Sequence, residues 1–288
     1  MLTKRKHIAW VNVAIATTLI ALLHSNQLTF AQSTEPTQVV SQPADELNTF
    51  VYLPLINKPE TCPQVSINQY ELVTVQGGYY KGNRLTDENA DFRLSVLGYA
   101  PVQAPLQRVE YGGPTDSNAP NFYNVFKPQR DIAFVAAYKR LDWNWDENTA
   151  PPYGIPGGPN NDWPVSVLDL AATPNEAVYI PRRDVPITSA GPYIAMVLFA
   201  DDDELTIHYG NRDVVDSGYV VYLANFCVDP GLLLLYRAQL SAGKRATGWL
   251  PMLRSDQPIG TAKQAFVTIA VRDSGPFLDP RSRKDWWQ

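Results

Sequence analysis

The chain has 288 residues, with 24 Lys and Arg against 29 Asp and Glu, for a formal net charge of −5. That acidic balance argues against nucleic acid and anionic membrane as partners and favours solubility. Its length suits one large domain or two smaller ones.

The N-terminus reads as an export signal. Lys4, Arg5 and Lys6 form a positive patch, and an apolar run from Ile8 to Leu23 follows, broken by Asn12, Thr17 and Thr18. A spanning helix needs about 20 mostly apolar residues. This run is shorter and gives way to Ser/Gln/Thr-rich sequence, so residues 1–32 are expected to be a signal peptide cleaved near Ala31–Ser33, the alternative being an uncleaved anchor. No Cys follows the run, which argues against a lipid anchor there. Nothing later is long and apolar enough to span a bilayer, so no membrane insertion is expected after processing. Residues 1–33 hold three Lys/Arg and no Asp/Glu, which leaves 21 basic and 29 acidic residues and a net of −8.

Residues 33–60 read as a polar, Pro-containing linker ending in a Y-L-P-L segment, where Pro54 fits an edge strand. From Cys62 onward, short runs rich in Val, Ile, Tyr and Leu alternate with Gly, Pro, Asn and Asp, the pattern of an all-β domain over residues 61–288. Strands are expected at Tyr70–Val75, Phe92–Leu97, Ile132–Arg140, Val165–Leu170, Ala177–Ile180, Tyr193–Phe199, Leu205–Tyr209, Tyr219–Phe226 and Phe266–Arg272. Thr149–Pro164 reads as a long loop. One helix is expected at about 229–242, with Asp229 as N-cap, Pro230 in the first turn and Gly243 as the stop. Export would permit a Cys62–Cys227 disulfide; the alternative is two buried thiols that never meet.

Residues 266–280, F-V-T-I-A-V-R-D-S-G-P-F-L-D-P, resemble the closing strand of the lysostaphin-type zinc endopeptidases. That family's strand carries His-x-His, alternating apolar residues, a polar turn and Asp-Pro. Here Phe266 and Thr268 stand at the histidine positions, and Asp279-Pro280 matches the ending. The resemblance covers about residues 205–286. It includes a hairpin in L-T-I-H-Y-G-N-R-D-V-V-D-S-G-Y-V-V-Y-L-A-N-F and a turn in Q-P-I-G-T-A, residues 257–262. It implies a lysostaphin-like β-barrel or sandwich with the one helix inserted, Asp91 at the metal-binding Asp, and cell-wall peptide or polysaccharide as the ligand class.

The same comparison argues against zinc chemistry. Catalytic zinc takes three protein ligands and an open position. After residue 32 the chain has one histidine, His208, and no Cys-x-x-Cys or His-x-x-x-His spacing. The positions Asp91, Phe266 and Thr268 are then a degenerate metal site, and no metal cofactor is expected. A serine triad finds no G-x-S-x-G elbow.

A second segment carries chemistry of its own. In L-D-W-N-W-D-E-N, Asp142, Asn144 and Asp146 alternate as calcium ligands do. Glu147 and Tyr153 stand where an EF-hand needs Gly and Glu, so calcium would require an irregular site. Trp143 and Trp145 share a strand face, with Trp163 near the far end of the long loop. Aromatic faces beside Asp and Asn suit sugar rings; the alternative is that these tryptophans cover the core. The four acids Asp201–Glu204 read as a solvated turn, and burial of at least one of Trp286 and Trp287 is expected.

Three readings follow. The leading one is an exported, non-catalytic protein binding cell-wall peptide or glycan through Asp142, Trp143, Asn144, Trp145, Asp146 and Trp163. The second is a carboxylate-based hydrolase using Asp91 with Asp142 or Glu110. The third is a structural or interaction module.

Overall fold

The computed structural model describes residues 61–76, 84–146, 148–189 and 191–288. The expected signal peptide and linker, including the Y-L-P-L segment, lie outside the described residues. Among the described residues, no helix is long and apolar enough to cross a membrane.

The chain builds β1 (Glu71–Thr74), a one-turn helix α1 (Leu94–Leu97), β2 (Tyr99–Pro101), the long β3 (Phe134–Trp145) and β4 (Gly154–Pro159). Then come β5 (Val167–Ala171), β6 (Ala177–Tyr179), β7 (Tyr193–Ala200), β8 (Glu204–His208), β9 (Tyr219–Ala224) and β10 (Phe226–Val228). Helix α2 (Pro230–Arg237) precedes β11 (Leu240–Ser241), β12 (Lys244–Arg245), β13 (Trp249–Arg254) and β14 (Pro258–Ala262). The chain closes with β15 (Phe266–Asp273), β16 (Phe277–Leu278) and the short α3 (Arg283–Trp286).

The fold is therefore mostly β. One large antiparallel sheet runs in the order β1-β13-β7-β8-β9-β15-β5-β3-β2, with β16 on β15 and β4 on β3. Its central strands β7, β8 and β9 are buried at every position, as expected of strands covered on both faces. The strand path is open: β1 and β2 are its two ends, so the barrel expected from the resemblance does not close among the described residues. A second sheet has the order β10-β14-β6. Asn225, with φ +62°, turns the chain between β9 and β10 and splits the expected Tyr219–Phe226 strand between the two sheets.

Several expectations are corrected by packing. Phe92–Leu97 is not a strand: Leu94 and Leu97, three apart, bury one face of α1. The expected 149–164 loop contains β4, which pairs with the outer half of β3 to make a hairpin. Q-P-I-G-T-A is a strand rather than a turn, because Gly260 lets the Cys227 backbone come close; any Cβ there would collide with the Cys227 carbonyl. The helix starts as expected, with Asp229 Oδ1 accepting from Gly231 N at 2.8 Å and Leu232 N at 3.3 Å. It ends earlier, at Arg237, and Gly243 serves the β11–β12 turn at φ +73°. Of the acidic run, only the first three residues form the turn. Glu204 is buried and accepts from Arg93 Nε at 3.0 Å and Ser95 Oγ at 2.6 Å.

Cys62 and Cys227 are joined in a disulfide, with Cα atoms 5.3 Å apart. Both terminal tryptophans are buried. Trp286 and Trp287 donate their indole N–H groups to the carbonyls of Asp279 and Pro280, each at 2.9 Å, and both pack on Phe122.

Candidate functional site

The outer half of β3 leaves the sheet core and projects the sequence R-L-D-W-N-W. Its partner β4 is registered Trp143↔Pro156, Asn144↔Ile155 and Trp145↔Gly154. The last pairing needs glycine. Gly154 has φ +151°, and a Cβ there would lie 2.7 Å from Trp143 Nε1 and collide with the Asn144 carbonyl.

Across from this hairpin stands another, β15–β16, in which Arg272 is registered with Phe277. Between them opens a cleft of about 450 Å³ lined by Asp91, Arg140, Asp142, Trp143, Asn144, Trp145, Arg272 and Phe277. The structure thus gathers four of the six sequence-expected ligand residues, and with them Asp91, around one hollow.

The polar groups are held in place. Arg140 Nη1 donates to the Leu141 carbonyl at 3.1 Å and to Asp142 Oδ1 at 3.3 Å. Asn160 Nδ2 donates to the same Asp142 oxygen at 2.9 Å. Arg272 Nη1 donates to Asp91 Oδ1 at 3.3 Å and to the Tyr222 hydroxyl at 3.2 Å, and its Nε to the Gly275 carbonyl at 2.5 Å. Two cations and two anions therefore form two ion pairs in the cleft. Burial pulls the Arg140 guanidinium below its ordinary value, against Asp142, which raises it. For Arg272 burial acts in the same direction but is outweighed by Tyr222 and Asp91, leaving it raised. Tyr222, fully enclosed, is pushed up to about 12, chiefly by burial. The Arg140 Nε atom is buried without a hydrogen-bond partner.

The two tryptophans differ. Trp143 is half-buried and packs against the core, so covering the core holds for that residue. Trp145 is 39% exposed and meets Trp143 edge-on at 5.9 Å between ring centroids. The Arg84 guanidinium sits over its ring, 4.6 Å from the centroid.

The remaining expected residues lie elsewhere. Asp146 closes its own turn, accepting from Asn148 N at 2.9 Å. Trp163 lies in a different hollow, edge-on to Tyr111 at 5.2 Å. Glu110 is ion-paired with Arg283. The calcium-like alternation does not converge: Asp142 is occupied by Arg140 and Asn160. Among the described residues, no group of three or more His, Cys, Asp or Glu could hold a metal ion.

The degenerate metal positions are likewise not gathered. Phe266 begins β15, registered with Ala171. Thr268 is buried, donates to Asp169 Oδ1 at 2.5 Å and accepts from Asn225 Nδ2 at 2.8 Å. Asp91 instead meets Arg272, which is four residues, or about 13 Å, farther along β15. Asp169 also accepts from the Tyr138 hydroxyl at 2.7 Å. Its carboxyl is raised by burial, and the bonds from Thr268 and Tyr138 oppose that shift.

Arg140, Arg272 and Phe277 were not singled out from the sequence. Their signal is weak, each lying at the frayed end of an apolar run. Asp169 had a stronger one, an acid set alone inside V-L-D-L. Comparison with family models, with characterised proteins and with solved structures gives no match for this chain.

Proposed function

We propose that this protein is an exported, non-catalytic β-domain that binds a cell-wall glycan in the cleft between the β3–β4 and β15–β16 hairpins. One observation carries the reading: Asp142, Trp143, Asn144 and Trp145 meet Asp91, Arg140, Arg272 and Phe277 around a single hollow of about 450 Å³. Sugar rings offer C–H faces to aromatic groups and hydroxyls to paired donors and acceptors, and this lining supplies both. Its balance of two arginines and two aspartates suits a neutral saccharide better than a strongly charged one.

The Cys62–Cys227 bond supports export, because disulfides persist in oxidising compartments. The resemblance of residues 266–280 to the closing strand of lysostaphin-type enzymes adds the cell wall as ligand source. The test is depletion of the purified protein by insoluble peptidoglycan and by cellulose, chitin and xylan. Retention on at least one, competed by its soluble fragments, supports the reading; a folded protein that stays in solution with all four refutes it.

A carboxylate hydrolase draws on one specific observation, that Asp91 and Asp142 share the cleft. Such an enzyme needs one of the two as proton donor. Both instead accept from guanidinium groups, which favours binding over turnover. Release of reducing ends from the retained polysaccharide, abolished in Asp91→Asn and Asp142→Asn, would establish hydrolysis instead.

A further inference from the structure

The β15–β16 hairpin has two faces. Arg272 and Phe277 look into the Trp145 cleft. Their chain neighbours Asp273 and Leu278 line a second hollow, of about 490 Å³, as the alternation of side chains along a strand requires. Four aromatic rings line that hollow: Tyr111, Trp163, Tyr219 and Trp286. They form two edge-to-face pairs, Tyr111 with Trp163 at 5.2 Å and Tyr219 with Trp286 at 5.8 Å.

The rings are pinned by acids. The Tyr111 hydroxyl donates to Asp279 Oδ2 at 2.8 Å, and the Tyr219 hydroxyl to Asp116 Oδ2 at 2.6 Å. A phenol that donates to a carboxylate has a more electron-rich ring, and ring faces attract cations. Tyr219 already shows this, with the Arg183 guanidinium 5.7 Å from its centroid.

The charges do not cancel. Four aspartates line the hollow: Asp116, Asp273, Asp279 and Asp285. Arg281 takes Asp279 with two bonds, Nε to Oδ1 at 3.0 Å and Nη2 to Oδ2 at 2.7 Å. Lys284 takes Asp285 at 2.7 Å. Asp116 accepts from Tyr219 and from Asn118 N and lies in the field of Arg183, whereas Asp273 accepts only from the Ser274 hydroxyl. One net negative charge, that of Asp273, therefore sits beside the aromatic rings in a roomy, open hollow.

We propose that this hollow is a second binding site, independent of the Trp145 cleft, that takes an organic cation: an alkylammonium group such as a quaternary amine or an amine-bearing sugar or peptide end. The half-buried rings of Tyr111 and Trp163 receive the apolar substituents on nitrogen, and Asp273 balances its charge. Neutral saccharides belong to the other face.

Choline is the probe, with 3,3-dimethylbutan-1-ol as its uncharged isostere. The account expects choline to bind the intact chain with upfield-shifted methyl proton resonances, the sign of aromatic rings around the ammonium. The isostere binds at least about tenfold more weakly, about 1.4 kcal/mol. Trp163, half-buried on a loop, can be removed without touching the core. Trp163→Ala lowers choline affinity about tenfold and Asp273→Asn about threefold to tenfold, each at unchanged circular dichroism. Trp145→Ala leaves choline binding as it was, which separates this site from the glycan cleft. Equal binding of choline and its isostere, no binding by the folded protein, or a Trp163→Ala variant that binds as wild type would each overturn the proposal.

Discussion

Arg140 and Arg272 hold their guanidinium groups over one ring, that of Phe277, at 5.1 and 5.0 Å from its centroid. Two like charges would ordinarily separate. The ring they share, stacked in turn on Tyr222 at 5.4 Å, and the carboxylates of Asp142 and Asp91 make the arrangement favourable. Phe277→Leu keeps an apolar group but removes the π face. We expect a loss of about 1–3 kcal/mol in urea unfolding, together with weakened glycan retention, because both arginines lose their anchor.

Gly154 controls the cleft from outside it. Gly154→Ala would push a methyl group against Trp143 Nε1 and the Asn144 carbonyl while forcing a strained backbone. The expected cost is about 1–3 kcal/mol, with glycan retention reduced even though no lining side chain has changed. Gly158, with open space at its Cβ, is the control, and Gly158→Ala should leave both properties intact.

The Cys62–Cys227 bond closes a loop with a sequence separation of 165. Loop-closure entropy sets its stabilisation at about 5 kcal/mol as an upper figure. Cys62→Ser/Cys227→Ser should lower the urea midpoint substantially, and thiol titration of the denatured wild-type chain should find no free thiol until reductant is added.

His208 sets one pH limit. It is buried, with Nε2 2.6 Å from the Ser217 carbonyl, and burial is the main cause of its lowered pKa. Its folded value then lies below its unfolded value, so the unfolded chain binds more protons between the two. Stability is full above the unfolded value of 6.5 and falls as pH drops from there toward the folded value. The slope contributed by this residue is at most about 1.4 kcal/mol per pH unit. In His208→Gln, urea unfolding between pH 7 and pH 5 should lose that part of its pH dependence.

Much of the sheet was legible in the sequence because its central strands are simple. Tyr193–Ala200 and Tyr219–Ala224 are continuous apolar runs bounded by turn residues, and both were expected within two residues. Asp229-Pro230 announced the helix start through capping chemistry alone. Trp249–Arg254 was missed because Pro251 argues against a strand; it is tolerated where its register partner is Leu72 of the terminal strand β1. Phe92–Leu97 misled because six residues of mixed apolar character fit either period. The site was half legible. Trp143 and Trp145 were visible as alternating aromatics, whereas Arg272 and Phe277 join them only through the pairing of β15 with β16, more than a hundred residues away in the chain.

The central claim rests on the exposed end of β3. Its most direct test is a depletion isotherm of wild type, Trp145→Ala and Asp142→Ala on insoluble peptidoglycan, cellulose, chitin and xylan, with circular dichroism confirming each fold. The account predicts wild-type retention on at least one of these materials and an affinity about tenfold or more lower in both variants, in line with the loss of a contact worth more than about 1.4 kcal/mol. Equal retention of all three proteins, or none of wild type, would contradict it.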